Sequence, residues 1–378
     1  MGRTSKASFK HRNLRASEPD GHVECIGEAR TKLHLSHWWL RHSRVWETRM
    51  SLIDRILSGP MFVDRPPVLV DIGGAGGTDG LWRRISRYCH CLTFDADARD
   101  FQSETTEGGR WRRLSVIHAA VSEGSAPYMP FFLTRSPHCS STLRPASDSL
   151  RSWHFGTQFD VVGEVEIPAV SISHALQEAG IDYIDWFKSD SQGTDLRLWK
   201  SLPDGLRRNV SVVSLEPGII DAYDGEDKLS SVLAAFDTPE WYLARLELRG
   251  ARRLEVGQLQ GLSRSHQRLA EASLPVAPGW GEAWFLKVVG GSDEWGAREY
   301  LMLWVASTIL KQHGHAWTVA RLGFLRTGDP QLAECQQASR RTLSRLTPYL
   351  GVRLWQSAKA RTSMIPGEVA KRVRGGRM

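Results

Sequence analysis

The first segment with the means for chemistry is a glycine-rich turn that follows a short apolar run. Residues 68–77 read VLVDIGGAGG, so a buried strand passes directly into glycines, which let backbone approach a ligand closely. The acid before the glycines would oppose a pyrophosphate but suits the amino and sulfonium groups of S-adenosylmethionine. The segment thus predicts a cofactor site at Asp71, Gly73, Gly74 and Gly77, although a tight structural turn has the same pattern.

Three more acidic residues lie at the predicted ends of strands. Asp95 can accept hydrogen bonds from both hydroxyls of a ribose, as acids do at this point of dinucleotide folds. Asp190 and Glu216 end two later apolar runs, at the edge where open α/β sheets bind ligands. Either carboxylate could bind an acceptor or take its proton. Asp190 could instead hold the methionine amine, pair with Lys188, or cap the next helix.

The elements that must position these acids alternate between apolar runs and helix-length segments. This alternation predicts an α/β fold with a doubly wound, mostly parallel, Rossmann-like sheet. The predicted core strands are 68–73, 92–95, 114–121, 183–190, 210–215 and 283–289. Helices are predicted at 81–88 and 174–179, and residues 165–172 are expected to form a sheet edge or a connector. The helix at 81–88 would direct its N-terminus at the ligand of the glycine turn.

The segments on either side of this pattern differ in composition. The sequence is divided into a flexible basic lead (1–30), a helical segment (31–60), a Rossmann-like domain (61–290), a helical appendage (291–355) and a basic tail (356–378). The net charge is +7, but residues 1–17 and 358–378 each carry +5, so the rest of the chain is slightly acidic. Nucleic-acid binding is therefore not expected of the folded body, and solvated ends are favoured over ends that bind nucleic acid or anionic lipid.

Cysteine content and hydropathy restrict the class of protein. Five cysteines without regular spacing disfavour a disulfide framework and favour a reducing, cytoplasmic setting. No apolar run reaches the length of a membrane span, and the N-terminus has no apolar secretory core. The Cys89-His90-Cys91 run lacks a second ligand pair, so no metal site is predicted.

Four segments in this order resemble the FkbM family of S-adenosylmethionine-dependent methyltransferases. They are DIGGAGG at 71–77, FDAD at 94–97, AAVSEG at 119–124, and IDYIDWFKSDSQGTDL at 181–196 followed by VVSLE at 212–216. The last is the most specific, being similar to the family's I-D-x-x-K-x-D-x-x-G-x-E-L run. The resemblance covers about residues 68–289, and three positions depart from the family. Ala75 stands for the usual asparagine, and Asp95 and Asp195 stand for usual glutamates.

The resemblance implies a class I methyltransferase fold and transfer of a methyl group to a hydroxyl of a carbohydrate or natural product. It adds Ala120 to the expected cofactor contacts and leaves Asp190 and Glu216 as the catalytic candidates. Trp153 and Trp186 are candidates for stacking on a sugar. The loop at 134–156 is long enough to act as a lid or to recognise the acceptor, or is a disordered surface loop.

Two other functions fit the same pattern. One is an NAD-dependent or nucleotide-sugar enzyme on a similar sheet, which the missing G-x-G-x-x-G spacing disfavours. The other is a Rossmann-like binding protein without catalysis, for which the departures from the family leave room. The oligomeric state and the identity of the acceptor are not predicted.

Overall fold

A seven-stranded sheet forms the centre of the protein, whose computed structural model describes residues 52–73, 80–97, 110–290 and 295–345. In spatial order the strands are β3 (Arg113–Ile117), β2 (His90–Phe94), β1 (Val68–Ile72), β7 (Trp186–Ser189), β8 (Val212–Leu215), β10 (Ala277–Lys287) and β9 (Trp241–Ala251). The first five strands in this spatial order are parallel to one another, whereas β10 is antiparallel to both of its neighbours, β8 and β9. The predicted α/β fold with a mostly parallel, Rossmann-like sheet is confirmed.

The sheet is covered on both faces, which explains why its strands read as continuous apolar runs. Along β1, Leu69 packs into one core and Val70 into the other, and every residue of the strand is buried. The first face is covered by helices α1 (52–57), α2 (Pro60–Asp64), α9 (Ala297–Ile309), α10 (His313–Thr327) and α11 (Pro330–Ser344). The second is covered by α4 (Ile172–Glu178), α5 (Asp195–Ser201) and α7 (Leu229–Phe236). The C-terminal helices therefore share a core with the sheet.

A second, three-stranded sheet is formed by the strands that follow β3 in the chain. Its order is β4 (Ala120–Val121), β6 (Val161–Val170), β5 (Tyr128–Thr134), with β6 parallel to β4 and antiparallel to β5. The single strand predicted at 114–121 is thus divided between two sheets. The segment predicted as an edge or connector is part of β6, the middle strand of this sheet. Three shorter helices lie in the connections: α3 (Ser147–Leu150), α6 (Asp204–Arg208) and α8 (Arg264–Ser273).

The prediction of an α-helix at 81–88 is wrong. Two 3₁₀ turns, Trp82–Arg84 and Ser86–Tyr88, occupy this segment. Trp82, Ile85 and Tyr88 recur every three residues, which puts them in line on one face of a 3₁₀ conformation, whereas an α-helix would spread them over about 120°. Trp82 and Ile85 are fully buried and Tyr88 packs against the same core. The helix N-terminus expected to face the ligand is therefore absent from the described residues.

A buried ion pair connects the C-terminal helices to the sheet. The Arg298 guanidinium on α9 donates two hydrogen bonds, of 2.8 and 2.9 Å, to the Asp185 carboxylate just before β7. It also donates to the backbone carbonyls of Arg65 and Pro66, while Asp185 accepts from the backbone N–H of Val68. These contacts connect α9 to the beginnings of β1 and β7, at the edge of the sheet opposite its carboxyl ends.

Several predictions fall outside the described residues. They concern the basic lead at 1–30, the helical segment at 31–60 except for its end, the basic tail at 356–378, and Gly74 and Gly77 of the glycine turn. None of the helices in the described part of the chain has the length and apolar composition needed to cross a membrane.

Candidate active site

A cavity of about 730 Å³ lies at the carboxyl ends of β1, β2, β7 and β8. Its volume is within the range of roughly 300–1,000 Å³ that is typical of small-molecule sites. β1 lies between β2 and β7. After β1 the chain continues to β2 and β3 on one side, and the later strands β7 and β8 are added on the other side. Open α/β sheets bind ligands at such a switch point. Of the residues predicted for the site and described, Gly73, Asp95, Ala120, Asp190 and Glu216 line this cavity.

Gly73 is required by the backbone at the end of β1. Its φ is +83°, and a Cβ atom there would lie 2.0 Å from the carbonyl oxygen of Asp190. The Gly73 N–H donates to the carbonyl of Phe94, at the end of β2. Glycine therefore lets the ends of three neighbouring strands converge on the cavity. This part of the turn serves the close packing of backbone against backbone.

Asp95 and Ala120 form one end of the cavity. Asp95 follows β2, is only 5% exposed, and accepts a hydrogen bond of 2.9 Å from the backbone N–H of Asp97. Ala120, in β4, is also buried and also lines the cavity. A carboxylate with apolar neighbours suits a ligand that brings hydroxyl groups and a flat apolar ring.

Asp71 has a different partner from the cationic ligand that the sequence predicted. The side chain is fully buried and is not part of the cavity wall. Its Oδ1 accepts a hydrogen bond of 2.7 Å from the Lys188 ammonium, because the two residues are directly paired in the register of β1 and β7. Lys188 lines the cavity. Its ion pair is with Asp71. The sequence had instead suggested Asp190 as the partner of Lys188.

Asp190 and Glu216 form a carboxyl pair at the ends of β7 and β8. Burial raises the pKa of Glu216 to about 9, and the charges of Asp190 and Glu282 and a side-chain hydrogen bond with Asp190 act in the same direction. At neutral pH Glu216 is therefore protonated and shares its proton with Asp190. The pair has a single negative charge, with the carboxylate on the Asp190 side available to a donor.

Gln192 and Tyr223 hold Asp190 in place, and sequence reasoning did not identify this role. Gln192 has a φ of +58°, and its amide Nε2 donates to Asp190 Oδ1 at 2.5 Å. Its amide oxygen lies 2.9 Å from the Tyr223 hydroxyl, and its backbone carbonyl accepts from Ser141 at 2.7 Å. Tyr223 follows β8 in a segment without periodicity, so no pattern pointed to it. The chain of contacts orients the carboxylate toward the cavity.

The alternative in which Asp190 caps a helix is not supported. The N-cap residue of α5, Thr194, makes no side-chain cap, and the Arg197 N–H in the first turn of α5 donates to the Asp227 carboxylate. The residue that binds the turn before α5 is Asp195. Asp195 is fully buried and accepts hydrogen bonds from the Ser189 hydroxyl and from the Ser191 hydroxyl and N–H. Burial and the charge of Asp190 raise the pKa of Asp195 to about 6. Asp195 therefore fixes the turn that presents Asp190.

The aromatic residues of the cavity differ from those predicted. Trp186 is fully buried in the core and Trp153 does not line the cavity, so both predictions of sugar stacking are wrong. Phe155 and Trp280 are partly exposed in the cavity wall instead. The loop at 134–156 supplies much of the remaining wall and contains a 3₁₀ turn and α3. It is therefore an ordered part of the site.

The charge of the cavity wall is predominantly negative. Among the described lining residues, the acidic side chains are Asp95, Asp97, Asp190, Glu216 and Glu226, and the basic ones are His138 and Lys188. Such a wall favours a ligand with positive charge and hydroxyl groups over one with a diphosphate. Within the described ranges, no group of three or more His, Cys, Asp or Glu side chains is arranged to hold a metal ion.

No protein-family model matches the chain, and its comparison with curated proteins finds no match either.

Proposed function

We propose that this protein is an S-adenosylmethionine-dependent O-methyltransferase, related to the FkbM family, that acts on a hydroxyl of a carbohydrate or natural-product acceptor. One observation carries the proposal. Asp95 and the Asp190–Glu216 pair line the same cavity, with Asp95 at the end of β2 and the pair at the ends of β7 and β8. A single ligand cavity can therefore accommodate a nucleoside at one side and an acceptor hydroxyl at the other.

The described residues fit the cofactor. Asp95 is nearly buried in the wall and can accept hydrogen bonds from two ribose hydroxyls. The excess of carboxyl groups suits a ligand that has a sulfonium and an ammonium group. A dinucleotide or a nucleotide-linked sugar would instead bring a diphosphate against these acids. When bound, S-adenosylmethionine supplies a methyl group already activated for transfer.

The chain's own contribution to the chemistry is to position the acceptor and accept its proton. The Asp190 carboxylate, oriented by Gln192, can take the proton that the acceptor hydroxyl loses as its oxygen forms the new bond. Protonated Glu216 can donate a hydrogen bond to that carboxylate. Positioning of the acceptor in the cavity then accounts for a large share of the rate. Asp190 remains open to a second role, in which it binds the methionine ammonium.

Calorimetric titration of the full chain with S-adenosylmethionine and, separately, with NAD tests the proposal. Binding of S-adenosylmethionine with a 1:1 stoichiometry and no heat with NAD would support it. Binding of NAD alone would favour a dehydrogenase on a similar sheet. Absence of binding to both would favour a binding protein without this chemistry, and the proposal would then be wrong.

A further inference from the structure

Two aromatic side chains form a corner in the cavity wall. The rings of Phe155 and Trp280 have centroids 6.2 Å apart and planes inclined at 74°, and both are partly exposed to the cavity. Phe159 backs Phe155, with ring centroids 5.4 Å apart. We call Phe155 and Trp280 the aromatic corner. A flat ligand can stack on one ring while its edge meets the other.

The reversed direction of β10 explains why the corner belongs to the active site. Because β10 is antiparallel to β8, its beginning lies at the carboxyl edge, and Trp280 forms a β-bridge with Gly218, two residues after Glu216. Asp95 lies on the opposite side of the carboxyl pair, at the end of β2. The strand order therefore separates an Asp95 end from an aromatic end, with the carboxyl pair between them.

Charge at the aromatic end restricts the ligand further. The Asp190–Glu216 pair, with its single negative charge, and Glu226 line this part of the cavity, and the Glu226 carboxylate is held by Lys228. The basic side chains among the described lining residues are His138 and Lys188, and Lys188 is bound to Asp71. A carboxylate or phosphate on the acceptor would meet the negative charge of the carboxyl pair here.

We propose that the aromatic corner binds an uncharged, ring-shaped acceptor by its apolar face and that anionic acceptors are excluded. The inference rests on the proposed function, since it treats the aromatic end as the acceptor side of a methyltransferase. Neutral glycosides belong to the class that is bound. Sugar phosphates, nucleotide-linked sugars and uronic acids belong to the class that is rejected.

Two probes that differ in one group test the inference. p-Nitrophenyl β-glucoside and p-nitrophenyl β-glucuronide share their rings and differ in a hydroxymethyl or a carboxylate group. Their dissociation constants are measured by ligand-observed NMR titration of the protein saturated with S-adenosylhomocysteine. The glucoside should bind at least about tenfold more tightly than the glucuronide. Trp280→Leu and Phe155→Leu should each weaken glucoside binding by about threefold to tenfold, because they remove an aromatic face but keep apolar volume.

Phe324→Leu provides the matched control, since Phe324 is an exposed ring on α10 that does not line the cavity. Its glucoside affinity should equal that of the wild type. Melting temperatures and S-adenosylhomocysteine binding, measured by calorimetry on every variant, identify any variant that does not fold. The inference is wrong if the glucoside does not bind, if the glucuronide binds equally well, or if both corner variants bind like the wild type. Absence of S-adenosylhomocysteine binding to the wild type would contradict the proposed function itself.

Discussion

The protonated state of Glu216 has a direct consequence for stability. Its pKa is about 9 in the folded chain, against an ordinary value of 4.5, because burial and the neighbouring carboxyls oppose its ionisation. Between about pH 5.5 and pH 8 the folded pair thus holds one proton that the unfolded chain has released. Glu216→Gln removes this proton from the folded state and keeps the size of the side chain.

The sign and size of the effect follow from proton linkage. The group's folded pKa is raised, so its contribution to stability is complete below pH 4.5 and is lost as pH rises through 9. Within that window the unfolded state binds one proton fewer than the folded state. The free energy of unfolding then falls by about 1.4 kcal/mol for each pH unit. The wild type should therefore lose about 1.4 kcal/mol per pH unit more than Glu216→Gln.

Urea denaturation at pH 5.5, 6.5 and 7.5 measures both slopes. The slope of the free energy of unfolding against pH should be steeper for the wild type than for Glu216→Gln by about 1.4 kcal/mol per pH unit, which corresponds to one bound proton. The vertical offset between the two curves does not enter this test. Glu166→Gln, which changes an exposed carboxyl on β6, controls for the substitution itself. Parallel curves for the wild type and Glu216→Gln would mean that Glu216 is ionised in the folded chain, and the shared-proton account of the carboxyl pair would be refuted.

Three further outcomes are expected. Arg298→Met should lower the free energy of unfolding by about 3–5 kcal/mol in urea titration, because it leaves the buried Asp185 carboxylate uncompensated, and should not change the dissociation constant of S-adenosylmethionine. Gly73→Ala should destabilise the fold by at least about 1–3 kcal/mol, whereas Gly80→Ala, where a Cβ atom meets nothing within 4 Å, should cost far less; equal melting temperatures would contradict this. Asp190→Asn should reduce turnover by about 10²–10⁴-fold at unchanged cofactor affinity if the residue is the base, and should mainly weaken cofactor binding if it holds the ammonium.

The sequence predicted the strand ends well because a buried parallel strand has a simple signature. The run at 68–72 is apolar on both faces of the sheet, apart from Asp71, and it forms β1. Since parallel strands end at one edge, acids that follow such runs must lie near each other. Asp95, Asp190 and Glu216 consequently share one cavity.

Features that depend on local conformation or on strand direction were not predictable in this way. The segment at 81–88 has helix-length spacing, but a period of three governs its burial and gives 3₁₀ turns. β9 was missed because its leucines, arginines and glutamate are also good helix formers, and pairing with β10 decides its conformation. The aromatic corner depends on the reversal of β10, and nothing in the spacing of Phe155 and Trp280 reveals that they meet.

The affinity of Asp95→Ala for S-adenosylmethionine tests the central claim most directly. Asp148→Ala, which changes a highly exposed aspartate on α3, is the matched control. Isothermal titration calorimetry should give a dissociation constant about tenfold to a hundredfold higher for Asp95→Ala, equivalent to about 1–3 kcal/mol for lost charge-assisted hydrogen bonds to two hydroxyls. The control should bind like the wild type. An unchanged dissociation constant in Asp95→Ala would contradict the account of a cofactor bound at the end of β2.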